Sequence, residues 1–213
     1  MGNAGEPYWK FRKPKSDSKT IVNPVETDEF DSSKLGMQWQ WQNDYKESYG
    51  QATSMGFFRL FTYALPELGD VSNLWYVPNM LLQKIPADEF TATTKLSFCS
   101  RNSDQYVGLV CMSAEYSSVG LQRTEDGYEL QIRHNPNAMR THLTDEVLTV
   151  DTLKPTQKGT PRKGRPAEMH IKDVYLRMSI KDSKVNYAYS IDGKKWKKAG
   201  GEYAMGKGRW MGS

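Results

Sequence analysis

The sequence predicts an all-β protein of about ten short antiparallel strands, arranged as a sandwich or a barrel. Three observations support this fold class. Apolar and polar residues alternate along 90–99, an apolar run covers 106–112, and glycine-containing turns separate several candidate strands. Alternation with a period of two indicates a half-buried strand, whereas a run that is apolar on both faces suits a central strand.

The candidate strands follow one another along most of the chain. In order they are 57–63, 90–99, 106–112, 116–123, 127–134, 174–180 and 185–191. The turn at 124–127 is predicted to form a hairpin with Gly127 at positive φ. Only 78–84 hints at a helical turn. The segment 154–165 is rich in Pro, Gly and basic residues and is predicted to be an exposed, mobile loop.

The two cysteines, Cys99 and Cys111, are predicted to be free thiols. If 100–104 is a hairpin loop, strand 90–99 pairs with strand 106–112. The cysteines then lie about five residues, or roughly 17 Å, apart along the ladder. A disulfide spans at most about 7 Å between Cα atoms. So few cysteines also exclude a disulfide-rich scaffold and a cysteine-only zinc cluster.

The charge balance and hydropathy of the chain exclude several classes of partner. Its 213 residues carry a net charge of +4, which is too small to indicate nucleic acid. No apolar run approaches the roughly 18 residues of a membrane helix, and no signal segment opens the chain. Residues 1–25, with three prolines and five basic residues, are predicted to be an interdomain linker, a frayed terminus being the alternative. Residues 26–213 form the predicted β-sandwich domain.

No catalytic or metal-binding residue is predicted from the sequence motifs. The chain has no Gly-x-Ser-x-Gly nucleophile elbow. His134, His142 and His170 lack ligand spacing and are predicted to lie on the surface or on a sheet face. The strong strands lack the paired acids that sandwich glycanases use. The acidic cluster 27–31 has oxygens of the type that calcium binds, but a solvated turn also explains it, so no cofactor is predicted.

The aromatic residues give a clearer functional indication. The segment 38–42 reads Gln-Trp-Gln-Trp-Gln, which places Trp39 and Trp41 on one face of an extended chain and amides on the other. Indole rings stack on the apolar faces of sugar rings, and amides bond to sugar hydroxyls, so this pattern suits a carbohydrate groove. Alternating Trp residues are also typical of a sandwich core, and that alternative stays open.

Several blocks of the sequence together resemble a known domain. They are Asp28-Glu29-Phe30, then 35–41 (Leu-Gly-Met-Gln-Trp-Gln-Trp), Phe58-Arg59-Leu60, 73–84 (Asn-Leu-Trp-Tyr-Val-Pro-Asn-Met-Leu-Leu-Gln-Lys), Tyr175-Leu176-Arg177 and 189–196 (Tyr-Ser-Ile-Asp-Gly-Lys-Lys-Trp). Their order resembles the C-terminal β-sandwich domain of family 43 glycoside hydrolases, the β-xylosidases and α-arabinofuranosidases, especially those of gut Bacteroidetes. The likeness extends over nearly the whole chain.

This resemblance implies a fold, a partner and a site. The fold would be an antiparallel two-sheet jelly-roll sandwich of the concanavalin A-like type, here lacking its final strand. The partner would be an N-terminal five-bladed propeller of the same polypeptide, which carries the catalytic acids of the family. Trp210, in the glycine-flanked segment 206–212, corresponds to an aromatic residue that reaches into the propeller's sugar pocket. The alternative is that Trp210 begins the last strand and caps the core. Family relatives imply a periplasmic or extracellular location.

Three functions are consistent with these expectations. In the first, the chain is an accessory domain of a hydrolase that acts on xylan, arabinoxylan or xylo-oligosaccharides, with Trp210, Trp39 and Trp41 as carbohydrate-contacting residues. In the second, it is an independent carbohydrate-binding module for xylan. A flat row of exposed aromatics on a sheet would favour the module, and aromatics at the linker end would favour the accessory role. A self-sufficient hydrolase would need two facing carboxylates about 5–10 Å apart.

Overall fold

Two antiparallel sheets packed face to face form the main body of the protein, as a computed structural model shows, and two pairs of short strands precede them in the chain. The structure describes residues 26–64, 73–138 and 144–206, together with residues 12 and 15. The predicted all-β sandwich is confirmed. The strands are β1 Gln40–Trp41, β2 Gly50–Ala52, β3 Phe58–Leu60, β4 Leu81–Leu82, β5 Phe90–Ser100, β6 Tyr106–Met112, β7 Tyr116–Arg123, β8 Tyr128–Asn135, β9 Glu146–Leu153, β10 Gln157–Lys158, β11 Met169–Lys181, β12 Lys184–Ser190 and β13 Lys197–Ala204.

One sheet is a meander of four strands in the order β6-β7-β8-β9, so each strand pairs with its neighbour in sequence. The predicted hairpin between β7 and β8 is present, with Thr124 N–H donating to the Gly127 carbonyl at 3.0 Å. Gly127 does not adopt the predicted positive φ. A glycine is needed there for space, because a Cβ atom would come within 2.7 Å of the Leu153 carbonyl oxygen.

The second sheet has five strands, with β11 between β5 on one side and β10 and β12 on the other. The predicted pairing of 90–99 with 106–112 is therefore wrong, because the chain after β5 crosses to the other sheet. Alternation along a strand reports which face is buried and carries no information about its partner. Both cysteines are free as predicted, with Cys99 opposite His170 and Cys111 opposite Ser117.

The core lies between the inner faces of the two sheets. Its fully buried members include Val119, Leu121, Leu130 and Ile132 from the meander and Val174, Leu176, Ile180 and Val185 from the five-stranded sheet. Their neighbours along each strand point outward, as the period of two requires. Burial of this branched aliphatic layer is the main stabilising contribution to the sandwich.

Two local predictions need correction. The helical turn expected at 78–84 is absent: a short 3₁₀ turn covers Leu74–Tyr76, and β4 follows at Leu81–Leu82. The segment 154–165 is exposed, but it contains the short strand β10 and an antiparallel bridge between Arg162 and Arg165. Within the described ranges, no helix has the length and apolar character needed to cross a membrane.

Candidate docking surface and polar clusters

An aromatic cluster lies outside the main core, in the segment 26–64. Trp39 stacks on Phe30 with 5.5 Å between ring centroids, and Phe30 in turn contacts Phe58 at 5.8 Å. Trp41 packs against Tyr49 at 5.7 Å and against Phe58 at 6.1 Å. The aromatic cluster consists of Phe30, Trp39, Trp41, Tyr45, Tyr49, Phe58 and Tyr63. Trp39 and Trp41 are both members of the cluster and are connected through Phe30 and Phe58.

Asp28 anchors this cluster through both of its carboxylate oxygens. One oxygen accepts a hydrogen bond from the Phe30 backbone N–H at 2.7 Å. The other accepts the Trp39 indole N–H at 2.8 Å and the Gln38 amide at 3.4 Å. Both oxygens of Asp28, one of the three acids in the segment 27–31, are thus engaged by donors within the chain.

Two members of the cluster lie on short strands. Trp41 ends β1, which pairs with β4 through Leu81, and Phe58 begins β3, which pairs with β2. Trp39 and Trp41 are half-buried, and neither belongs to the central core. The central-core alternative is thus wrong for both, while their predicted contact with carbohydrate stays a prediction. Trp210 lies outside the described residues.

The same segment carries a concentration of exposed apolar side chains. Of the ten large hydrophobic residues that are exposed in the described part of the chain, seven lie between residues 37 and 63. This apolar surface consists of Met37, Tyr45, Met55, Phe57, Leu60, Phe61 and Tyr63. Scattered single apolar residues are normal on a protein surface, whereas a concentration of them makes this segment a candidate interaction site.

The outer face of the meander carries a polar network around Tyr106. Its ring covers Gly120, where a Cβ atom would come within 2.5 Å of the phenol, so only glycine fits. The Arg133 guanidinium lies 3.9 Å from the centroid of the same ring and donates to the side-chain oxygens of Gln122 and Gln131. The Tyr106 hydroxyl lies 3.0 Å from Ser118 Oγ. The guanidinium thus covers one face of this ring and the sheet covers the other.

The outer face of the five-stranded sheet shows a similar arrangement around Trp196. The Arg177 guanidinium lies 3.5 Å from the indole centroid, and its Nε donates to Thr93 Oγ1 at 3.2 Å. A stacked guanidinium stabilises such a ring by about 0.5–2 kcal/mol. A sugar ring would have to displace that contact before it could stack on the same face.

Glu129 on β8 and Asp145, which precedes β9 and contacts the end of β8, are too far apart to act as paired catalytic acids. Glu129 accepts hydrogen bonds from Gln131 at 2.7 Å and from Thr149 at 3.1 Å. Asp145 accepts one from the Asn135 amide at 3.0 Å. Since Asn135 is six residues beyond Glu129, the two acids lie about 20 Å apart along the strand. Glycosidase carboxylates lie about 5–9.5 Å apart.

A third polar cluster, formed by Cys99, Glu168 and His170, was not found by the sequence analysis. The Cys99 thiol donates to Glu168 Oε1 at 3.1 Å and lies 3.5 Å from His170 Nε2. Partial burial, and next the adjacent Glu168 carboxylate, raise the pKa of the Cys99 thiol to about 11. Hydrogen bonds from Cys99 and then Arg101 lower the pKa of Glu168. The one sequence signal was the Glu168-x-His170 spacing beside a strand, which is weak alone.

The other two histidines have different outcomes. His134 lies on β8 and pairs through Nδ1 with Glu146 Oε2 at 3.1 Å, on the surface as predicted. His142 lies outside the described residues.

Comparison with protein families identifies the fold. The model for the β-xylosidase C-terminal concanavalin A-like domain of family 43 glycoside hydrolases matches residues 27–213. The chain belongs to this family. The family resemblance and the concanavalin A-like fold predicted from the sequence are both confirmed.

Curated relatives of this family 43 C-terminal domain are longer proteins. A β-xylosidase from Formosa agariphila is 26% identical over 226 residues, covering 98% of this chain and 34% of the relative. A putative β-xylosidase from Xylanibacter ruminicola is 27% identical over 209 residues, covering 98% of this chain and 33% of the relative. The chain therefore spans about a third of the length of these relatives.

Solved structures support the family 43 sandwich fold. A xylan β-1,4-xylosidase from Bacillus halodurans aligns with a TM-score of 0.59 and 16% identity, covering 88% of this chain and 33% of that one. A family 43 protein from Bacillus licheniformis aligns with a TM-score of 0.58 and 20% identity, covering 84% of this chain and 30% of that one. At such identities the likeness concerns the fold alone.

Proposed function

We propose that the chain is the accessory C-terminal sandwich of a family 43 glycoside hydrolase that acts on xylan, arabinoxylan side chains or xylo-oligosaccharides. In this role it packs on a five-bladed catalytic propeller of the same polypeptide and shapes the mouth of its active site. The lengths of the curated relatives support this role, because about two thirds of each lies outside the matched region.

The apolar surface between residues 37 and 63 carries the proposal. Its side chains are exposed although the segment packs around its own aromatic cluster. Covering them with a second domain would remove that apolar area from water. Each Å² buried in this way stabilises the contact by about 25 cal/mol. Segment 26–64, which carries this surface, follows residues 1–25 directly, so a propeller joined through that linker would be its neighbour in sequence. The occupant that we assign to this surface is therefore the propeller.

The outer faces of the sheets argue against an independent carbohydrate-binding module. A module that binds a polysaccharide needs a row of aromatic rings whose faces are exposed to solvent. In the described residues the rings of Tyr106 and Trp196 are each covered by an arginine, at 3.9 and 3.5 Å. The separation of Glu129 from Asp145 argues in the same way against a self-sufficient hydrolase.

The test compares charged substitutions on the apolar surface with one elsewhere, in the polypeptide that contains the propeller. Met37→Glu and Met55→Glu place a charge in the proposed contact, whereas Val147→Glu places one on an exposed apolar residue of β9. Hydrogen exchange is measured at the amides of 37–63. We expect these amides to exchange more slowly in the longer polypeptide than in the isolated chain. This protection should be lost in both Met variants and retained in the Val147 variant.

Two results would overturn the assignment. Equal exchange at 37–63 in the isolated chain and in the longer polypeptide would show that this surface is not the docking face. A coding sequence without a propeller upstream of Met1 would contradict the accessory role itself. Because all three substituted side chains are exposed, the variants of the isolated chain should melt within about 2 °C of the parent chain, which separates docking from folding.

A further inference from the structure

We infer that Cys99, Glu168 and His170 form a zinc site on the outer face of the five-stranded sheet. The donor atoms of these residues all lie within 4.8 Å of one another. The cluster shares no residue with the apolar surface, so this inference does not depend on the proposed function.

The strand register brings the three donors to one place. Cys99 of β5 lies directly opposite His170 of β11, and opposed residues of an antiparallel pair project from the same face. Glu168 is two residues before His170 and therefore shares that face. The alternate residues Phe98, Met169 and Ile171 are buried in the core, so the three donors point outward. Such donors on paired strands are held in position before any metal arrives.

The distances between the donors fit a tetrahedral zinc ion. Bonds of about 2.3 Å to sulfur and 2.0–2.2 Å to nitrogen and oxygen give donor-to-donor separations of roughly 3.4–3.6 Å. The thiol sulfur lies 3.5 Å from His170 Nε2 and 3.1 Å from Glu168 Oε1, and the imidazole nitrogen lies 3.9 Å from Glu168 Oε2. Adjustments of about 0.5 Å complete the site.

The donor types select the metal. One sulfur, one imidazole nitrogen and one carboxylate oxygen match the mixed ligand sets of zinc, whereas calcium and magnesium take oxygen ligands alone. Three protein ligands leave the fourth tetrahedral position for water. The Cys99 proton passes to solvent when the thiolate binds the ion, and His170 coordinates through Nε2 in its neutral form.

Arg101 is the group that zinc must displace. Its guanidinium lies 3.4 Å from Glu168 Oε2, and both side chains are partly exposed, at 50% and 38%. Exposed ion pairs of this kind contribute about 0–1 kcal/mol, so the pair is easily exchanged for a metal bond. Arg101→Ala should therefore tighten zinc binding, whereas loss of a ligand should weaken it.

Titration of the whole chain with Zn²⁺, followed by calorimetry, tests the site. We expect one ion per chain, released by EDTA. Affinity should fall in Cys99→Ser and His170→Gln by more than the roughly 10–100-fold that changes around the ligands alone produce. His134→Gln is the matched control, because His134 also pairs with a glutamate but lies outside the Cys99 cluster. The His134→Gln variant should bind zinc with the affinity of the parent chain.

Two further measurements identify the ligands directly. Bound Co²⁺ should show the near-ultraviolet charge-transfer absorption of a thiolate complex, absent in Cys99→Ser. Zn²⁺ should also slow alkylation of Cys99, while the buried Cys111 is unreactive with or without metal. Zinc binding that persists in both ligand variants, cobalt bound without the thiolate absorption, or no binding to a folded chain would each overturn the inference. Circular dichroism of every variant separates these results from misfolding.

Discussion

The phenol of Tyr187 donates a hydrogen bond to the backbone carbonyl of Ser117, 2.6 Å away on the opposite sheet. The Ser117 hydroxyl lies 3.0 Å from the same phenol oxygen. Both residues are buried, and desolvation raises the pKa of Tyr187 well above its usual range. Tyr128 makes the converse link, from the meander to the Met169 carbonyl at 2.7 Å. Two tyrosines thus connect the sheets in opposite directions.

Tyr187→Phe should lower the free energy of unfolding by about 1–3 kcal/mol, because it leaves buried acceptors without their donor. Urea denaturation measures the change. Tyr45→Phe, on an exposed ring, is the control and should fall within about 0.5 kcal/mol of the parent. Equal stability of the two variants would show that the link between the sheets contributes little.

Asp192→Ala should destabilise the β12–β13 turn at neutral pH but not in acid. The Lys195 and Lys194 backbone amides, then the Ser190 hydroxyl, donate to its carboxylate and lower its pKa to about 2. A lowered pKa stabilises the fold above the unfolded value near 3.8, and this contribution is lost as the pH falls towards 2. The difference in melting temperature between parent and variant should therefore narrow between about pH 4 and 2.

The control for Asp192 is Asp126→Ala, in the β7–β8 turn. The difference in melting temperature between Asp126→Ala and the parent should not follow the titration of Asp192. If the difference in melting temperature between Asp192→Ala and the parent stays constant from pH 7 to pH 2.5, the effect comes from turn geometry and not from charge.

The isolated chain should not hydrolyse aryl xylosides or arabinosides. Strands 90–99 and 106–112 carry no acid, and Glu129 and Asp145 lie about 20 Å apart, which exceeds the roughly 5–9.5 Å between the carboxylates of a glycosidase. Release of nitrophenol is measured after rigorous purification. A turnover that survives purification and disappears when an acid of this chain is replaced would contradict the prediction.

In the propeller-containing polypeptide, Trp39→Ala and Trp41→Ala should each raise KM for xylo-oligosaccharides roughly two- to tenfold. This change corresponds to the loss of one aromatic contact of about 0.5–1.5 kcal/mol. The stability cost should stay below the roughly 3–5 kcal/mol of a fully buried aromatic, because both indoles are half-buried. Trp39→Phe keeps the stacking on Phe30 and loses only the bond to Asp28. An unchanged KM with a lower melting temperature would limit both residues to packing.

Trp210→Ala should raise KM or lower kcat tenfold or more in the same polypeptide while the melting temperature barely moves. The expectation rests on the family resemblance, in which an aromatic at this place closes the sugar subsite. Steady-state kinetics and thermal melts separate the two possible roles. A loss of stability with unchanged kinetics per folded molecule would make Trp210 a core residue.

Local pattern was sufficient to find several of the strands, although not β9 or β13, and it did not give their partners. The bounds Tyr106–Met112 and Tyr116–Arg123 were predicted from the sequence and match the structure. Each rests on residues that are neighbours in the chain. The pairing of β5 with β11 depends on where the chain crosses between sheets, and nothing in the local alternation encodes that step.

The difference between local pattern and long-range pairing also explains which features of the candidate sites the sequence does not predict. Trp39 and Trp41 are two residues apart, so their shared face followed from the strand period alone. Cys99 and His170 are 71 residues apart and meet only through the β5–β11 register. The exposure of Met37 and Met55 likewise had no sequence signal, because an apolar residue looks the same whether a core or a partner domain covers it.

The pairing of β5 with β11 also sets an order of folding. Partners in this pair are separated by 69 residues at Ser100 and Met169 and by 90 at Phe90 and Ile180. The meander lies between them in the chain and needs only neighbouring strands. During synthesis at about 5–20 residues per second, β5 waits for its partner for several seconds. We therefore expect the meander to form first, while β5 is a newly made strand with an unpaired edge that chaperones or other nascent chains can reach.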